Sequence, residues 1–99
     1  MIYHILYSET SRNQVRKLHP QIKATVKSII ETLQDNPYRG KYLEKELAGY
    51  LSIRMKRFRI IYKIDEEHHK VQIHHIGHRK DIYELFRESI DKELDGAHR

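Results

Sequence analysis

The chain has 99 residues, no cysteine and a formal net charge of +5, with a mean hydropathy of −0.80. Its length suits one domain spanning residues 1–99 around one small core, and the lack of cysteine rules out disulfide and thiolate chemistry. No apolar run nears the roughly 20 residues that span a bilayer, and the N-terminal MIYHILYSET has neither a basic leader nor a long apolar segment, so a cytoplasmic protein is expected.

From the N-terminus, Ile2 to Ser8 is aromatic and β-branched enough for a strand. Both of its faces carry apolar residues, which suits an interior position. Thr10 or Ser11 is expected to cap a short helix that runs to about Leu18. His19-Pro20 ends it, and Pro20 fits the first turn of the next helix. In that second helix Ile22, Val26, Ile29, Ile30 and Leu33 recur at helical spacing, and Asn36-Pro37 stops it. The two helices form a hairpin whose apolar stripe should cover one face of a sheet.

A connector from Pro37 to Gly49 leads into a three-stranded antiparallel meander. In its first strand, Leu51, Ile53 and Met55 alternate with Ser52, Arg54 and Lys56. In the second, Phe58, Ile60, Tyr62 and Ile64 alternate with Arg59, Ile61 and Lys63. DEEHHK, from Asp65 to Lys70, is the next turn. Val71 to Ile76 is the last strand, ended by Gly77. From Asp81 onward Ile82, Leu85, Phe86, Ile90 and Leu94 mark a C-terminal amphipathic helix. The fold class is therefore α+β: an N-terminal strand, a helical hairpin, the meander and a terminal helix.

Between Ser52 and Lys63 the chain reads SIRMKRFRIIYK, with five cationic side chains and no acid. The alternation puts Arg54 and Arg59 on the face that the apolar residues avoid. Guanidinium groups stay protonated and match phosphate oxygens in a bidentate way. A solvated sheet face without chemistry is the competing explanation. Arg79 and Tyr83, four residues apart at the sheet's mouth, favour chemistry, because a tyrosine there can stack on a base or exchange a proton with a sugar or leaving oxygen. The alternative for Tyr83 is a half-buried packing ring. His68, His69, His74, His75 and His78 have no cysteine partners and no carboxylates at ligand spacing, so no metal site is expected. His78 is the histidine best placed to join acid–base chemistry. Tyr3, Tyr7, Tyr38, Tyr42, Tyr50 and Tyr62 read as core or edge packing. No Gly-rich phosphate loop, nucleophile elbow or carboxylate pair is present, and no cofactor is expected.

LAGYLSIRMKRFRIIYKI followed by IGHRKDIY resembles the toxins of the RelE/ParE superfamily of type II toxin–antitoxin modules. The resemblance rests on Leu47-Ala48-Gly49 before the meander, on Arg-x-x-Tyr from Arg59 to Tyr62, and on Gly-His-Arg-x-x-x-Tyr from Gly77 to Tyr83. It covers essentially the whole chain, with elements in the same order. It implies the RelE-like branch, whose members cleave mRNA in the ribosomal A site with the RNA's own 2′-hydroxyl as nucleophile and no metal. ParE-like members share the fold but poison DNA gyrase, and that is the alternative. The resemblance also implies catalytic roles for Arg54, Arg59, Arg79 and Tyr83. Lys56, Arg57, Lys63, His78 and Lys80 are expected to contact RNA and ribosome, and a cognate antitoxin is the expected protein partner. In this chain Arg54 and Ser52 stand at two positions where RelE toxins carry lysine. Arginine, with a pKa above about 12, is a poor proton acceptor.

Overall fold

The structure, a computed structural model, describes residues 2–78 together with Tyr83, Phe86, Arg87 and Ile90. In chain order the elements are β1 (His4–Tyr7), α1 (Glu9–Arg16), α2 (Pro20–Thr32), β2 (Lys41–Tyr42), β3 (Tyr50–Met55), β4 (Phe58–Asp65) and β5 (Lys70–His78), with short 3-10 turns at Pro37–Arg39 and Lys45–Leu47. They build one five-stranded sheet in the order β1-β5-β4-β3-β2. The meander β3-β4-β5 is antiparallel, whereas β1 runs parallel to β5.

The expected strand parity holds through β3 and β4. Leu51, Ile53, Met55, Ile60 and Tyr62 join Val71, Ile73 and Ile76 of β5 beneath Val15 of α1 and Val26, Ile30 and Leu33 at the α2 stripe. These side chains form the main core on the helix side. A second, smaller core lies on the other face, where Leu47, Ile61 and Phe86 pack with Leu43, Tyr50, Tyr83 and Ile90. Tyr83, Phe86, Arg87 and Ile90 are helical, so the terminal helix lies on the face opposite the hairpin. The rest of that expected helix, from Asp81 through Ile82 and Leu85 to Leu94, lies outside the described residues.

Four details differ from expectation. β1 is an edge strand; Leu6 on it is 43% exposed and Ile2, two residues before it, 61%. Its inner residues Tyr3, Ile5 and Tyr7 pack on the main core, but nothing described covers its other face. Second, Ser8 rather than Thr10 or Ser11 caps α1, its Oγ accepting from the Ser11 N–H at 3.0 Å. Ser11 is buried instead, and its hydroxyl donates to the Ile73 carbonyl at 2.8 Å. Third, β5 continues through Gly77 to His78. Beyond the four β1 pairs, α1 takes the place of a neighbouring strand. Gln14 Oε1 accepts from the Ile76 N–H at 2.7 Å, so the strand edge stays satisfied where β1 has ended. Fourth, Tyr38 and Tyr42 are exposed rather than packed, and the connector contains β2, paired with β3.

Tyr62 pins that connector from inside the core. Its hydroxyl donates to the Pro37 carbonyl at 2.7 Å and accepts from the Gly40 N–H at 2.9 Å. A Cβ on Gly40 would stand 2.5 Å from the Tyr62 hydroxyl and 3.0 Å from the Ser52 carbonyl. Glycine is needed there for close approach, not for its backbone angles.

Candidate active site

β3 and β4 join through the two-residue turn Lys56-Arg57, and their register sets Arg54 directly opposite Arg59. Directly opposed residues hold their Cβ atoms about 4.5–5.5 Å apart, and like charges so placed repel. Arg59 in turn faces Gly77 on β5, which has no side chain to crowd it. The Arg59 Nε is buried without a hydrogen-bond partner. Among the described residues these two facing cations, one with an unsatisfied buried donor, have no acidic partner, an arrangement suited to an anion.

Two residues before Arg54 on the same face, Ser52 is buried, and its Oγ shares a 3.1 Å hydrogen bond with the Tyr83 hydroxyl. The terminal helix, anchored by Phe86 against Ile61, therefore brings Tyr83 onto the face that carries the arginines. Two residues along a strand advance about 6.6 Å, so phenol and guanidiniums lie within the span of one phosphodiester and its sugar.

The other expected site residues divide by position. Lys56 and Arg57 are exposed at the turn beside the arginine pair, and Lys56 adopts a left-handed φ of 53°. Lys63 lies on the same face but four residues from Arg59, about 13 Å along the strand, with its Nζ 5.3 Å from the centre of the Tyr50 ring. His78 pairs with Phe58 and packs ring on ring at 4.7 Å. That parity is opposite to Arg59, so His78 does not join the arginine face. Arg79 and Lys80 lie outside the described residues.

The sequence reading missed Ser52 as the hydrogen-bond partner of Tyr83. Its signal was parity, because Ser52 alternates with Arg54 on the polar face. His74 is the extra residue at an irregularity in the β4–β5 register, where Ile61 pairs with His75 and Tyr62 with Ile73. It packs edge-on to Tyr50 at 5.3 Å and lies near Phe86. His75 is 7% exposed, with its ring nitrogens 3.1 and 3.3 Å from Gln14 Nε2. Burial holds its pKa below the usual histidine value. The unfolded chain therefore binds more protons at this position below about pH 6.5, so stability contributed by neutral His75 is complete above that pH and falls as pH drops below it. Urea midpoints at pH 7.5 and 5.5 should show a larger acid loss for the wild type than for His75→Gln, whereas parallel losses would refute this.

No group of three or more histidine, cysteine, aspartate or glutamate side chains is placed to hold a metal ion among the described residues. None of their helices is long and apolar enough to cross a membrane.

An α+β sheet with a helical pair on one face, and on the other an arginine pair beside a helix-borne tyrosine, defines a small basic domain. A family model described as ParE toxin of type II toxin-antitoxin system, parDE, matches residues 5–83. Over 85 residues the chain is 41% identical to the toxin RelG of Mycobacterium tuberculosis, covering 84% of this chain and 98% of that protein. It is 35% identical to the toxin RelE of the same organism over 84% of this chain and 88% of that one. Among solved structures, the toxin–antitoxin complex RelBE2 from M. tuberculosis matches with a TM-score of 0.74 at 38% identity, over 80% of this chain and all (100%) of that one. A variant of the E. coli toxin RelE in the free state matches with a TM-score of 0.76 over 93% and 98% of the two chains, at 17% identity a likeness of fold alone. The chain belongs to the RelE/ParE superfamily of type II toxin–antitoxin toxins, on its RelE-like side.

Proposed function

We propose that this toxin is a ribosome-dependent mRNA endoribonuclease that works without a metal ion. The observation that carries the reading is the facing pair Arg54 and Arg59, with the Arg59 Nε unsatisfied, on the face where Ser52 holds the Tyr83 hydroxyl. In the proposed step the RNA 2′-oxygen bonds to the adjacent phosphorus and the bond from phosphorus to the 5′-oxygen breaks. The products are a 2′,3′-cyclic phosphate and a free 5′-hydroxyl. Arg54 and Arg59 hold the non-bridging oxygens and offset the charge that builds on them. Tyr83 gives its proton to the departing 5′-oxygen, and Arg79 is proposed as a third phosphate ligand. Guanidinium groups cannot take up the 2′-proton, so the base is another side chain or the ribosomal RNA. Lys56 and Arg57, beside the pair, steer toward RNA in a salt-sensitive way, with Lys63, His78 and Lys80 as outlying contacts. The protein partner is a cognate antitoxin, as in the solved complex from M. tuberculosis, with an acidic or amphipathic segment that covers the basic face or displaces the terminal helix. The proposed place of action is the cytoplasm.

Primer extension on a reporter mRNA, with and without ribosomes, tests the proposal. Cuts within codons only when ribosomes are present are expected. Intact mRNA together with inhibited gyrase supercoiling would overturn the reading in favour of the ParE type.

A further inference from the structure

On the side of the sheet away from the arginine pair, a groove of about 320 Å³ opens between α1 and α2, lined by Tyr7, Arg12, Val15, Arg16, Lys23 and Lys27. Arg12 and Arg16 are one turn apart on α1, and Lys23 and Lys27 are one turn apart on α2. Each helix thus presents two cations about 6 Å apart along its axis, and the groove is flanked by four. Like charges at this spacing destabilise an isolated helix. Among the described residues none of the four cations forms an ion pair, the one such pair joining His68 to Asp65, and Glu31, one turn beyond Lys27, is a single acid against four cations. Burial, and then the Glu31 carboxylate one turn beyond Lys27, push the Tyr7 phenol up, so it remains a neutral donor beside the cations.

We propose that this groove is a second anion site, which grips the phosphate backbone of structured RNA while the opposite face holds the message. The lining decides between polyanions. A docked acidic protein segment needs apolar anchors at the centre of its contact, where interfaces are poor in charge. Here only Val15 and the Tyr7 ring are apolar, while four of the six lining side chains are cations. That composition matches a backbone recognised through its phosphates, without sequence readout. The proposal rests on the preceding reading for the message on the opposite face and for the identity of the structured RNA as ribosomal.

The test uses the full chain with Tyr83→Phe, to suppress cutting, against a labelled RNA hairpin and against ribosomes at several salt concentrations. Replacing Arg12, Arg16, Lys23 and Lys27 together by glutamine should weaken both complexes at least tenfold and make the log–log salt slope shallower by about 2–4, near one unit per lost phosphate contact. The two double variants, Arg12→Gln with Arg16→Gln and Lys23→Gln with Lys27→Gln, should each give about half the change in slope. They serve as the test if the quadruple variant does not fold. Unchanged affinity and slope would overturn the inference. So would weakened antitoxin binding with RNA binding intact, which would make the groove a protein surface. The two readings fail separately. A wild type that cuts on ribosomes while the groove variants bind as before leaves the nuclease and removes the groove. A wild type that cuts nothing, yet loses hairpin binding with the groove cations, does the reverse.

Discussion

Arg59→Ala is expected to slow cleavage of mRNA on programmed ribosomes by about 10²–10³-fold, the range for losing one preorganised donor to a developing oxyanion. The expectation follows from position. Arg59 sits between Arg54 and Gly77, so it has a repelling charge on one side and a neighbour without a side chain on the other. A phosphate bound there, as proposed, would relieve the repulsion and give the buried Nε a partner. The alanine chain should fold as well as the wild type, because the substitution removes a like-charge neighbour rather than a core contact. Lys63→Ala supplies the contrast, since Lys63 lies against Tyr50 at the far end of the same face and its loss should change the rate by less than about tenfold. Single-turnover rates measured beside urea midpoints separate chemistry from folding. An Arg59→Ala rate within a factor of a few of wild type would remove Arg59 from the site.

The largest stability effect is expected at Tyr62. Truncation to alanine empties a fully buried aromatic position and should cost about 3–5 kcal/mol. Tyr62→Phe keeps the ring but leaves the Pro37 carbonyl and the Gly40 N–H without the hydroxyl that joins them, and should cost about 1–3 kcal/mol. Chemical denaturation measures both. The phenylalanine variant should also loosen the connector, read as faster amide exchange at Gly40 than at Ile60. Equal exchange at Gly40 in both proteins would show that the hydroxyl is not what pins the segment.

Much of this was legible in the residues because period-2 alternation through β3 and β4 assigns every side chain to a face. Arg54 and Arg59 could be placed together before their register was known. The α2 stripe announced its own burial in the same way. What could not be read depended on partners distant in sequence. Nothing local tells that β1 lies at an edge, because the side chains on its two faces do not say that β5 pairs along one backbone edge and no strand along the other. β2 spans two residues, too few for any period to show. Gly77 looked like a strand end but is the open partner of Arg59, and the extension of β5 past it depends on the Gln14 side chain supplying a hydrogen bond where a strand would. Ser8 displaced Thr10 and Ser11 as the cap because Ser11 is drawn inward to the Ile73 carbonyl. Ser52 looked like the loss of a family lysine. Its bond to Tyr83 joins a strand to a helix 31 positions later, and no spacing rule covers that.

The parallel pairing of β1 with β5 joins His4 to Lys70 and Tyr7 to Ile73, so nearly the first residues made must wait for nearly three-quarters of the chain. Closing so long a loop is entropically slow, and until it closes the edge of β1 and its apolar side chains have no partner. During synthesis the helical hairpin can form early, but the sheet that aligns the arginines is complete only after β5 has emerged. Until β5 pairs, Arg59 lacks its Gly77 neighbour, and the strand that holds it opposite Arg54 has one edge open.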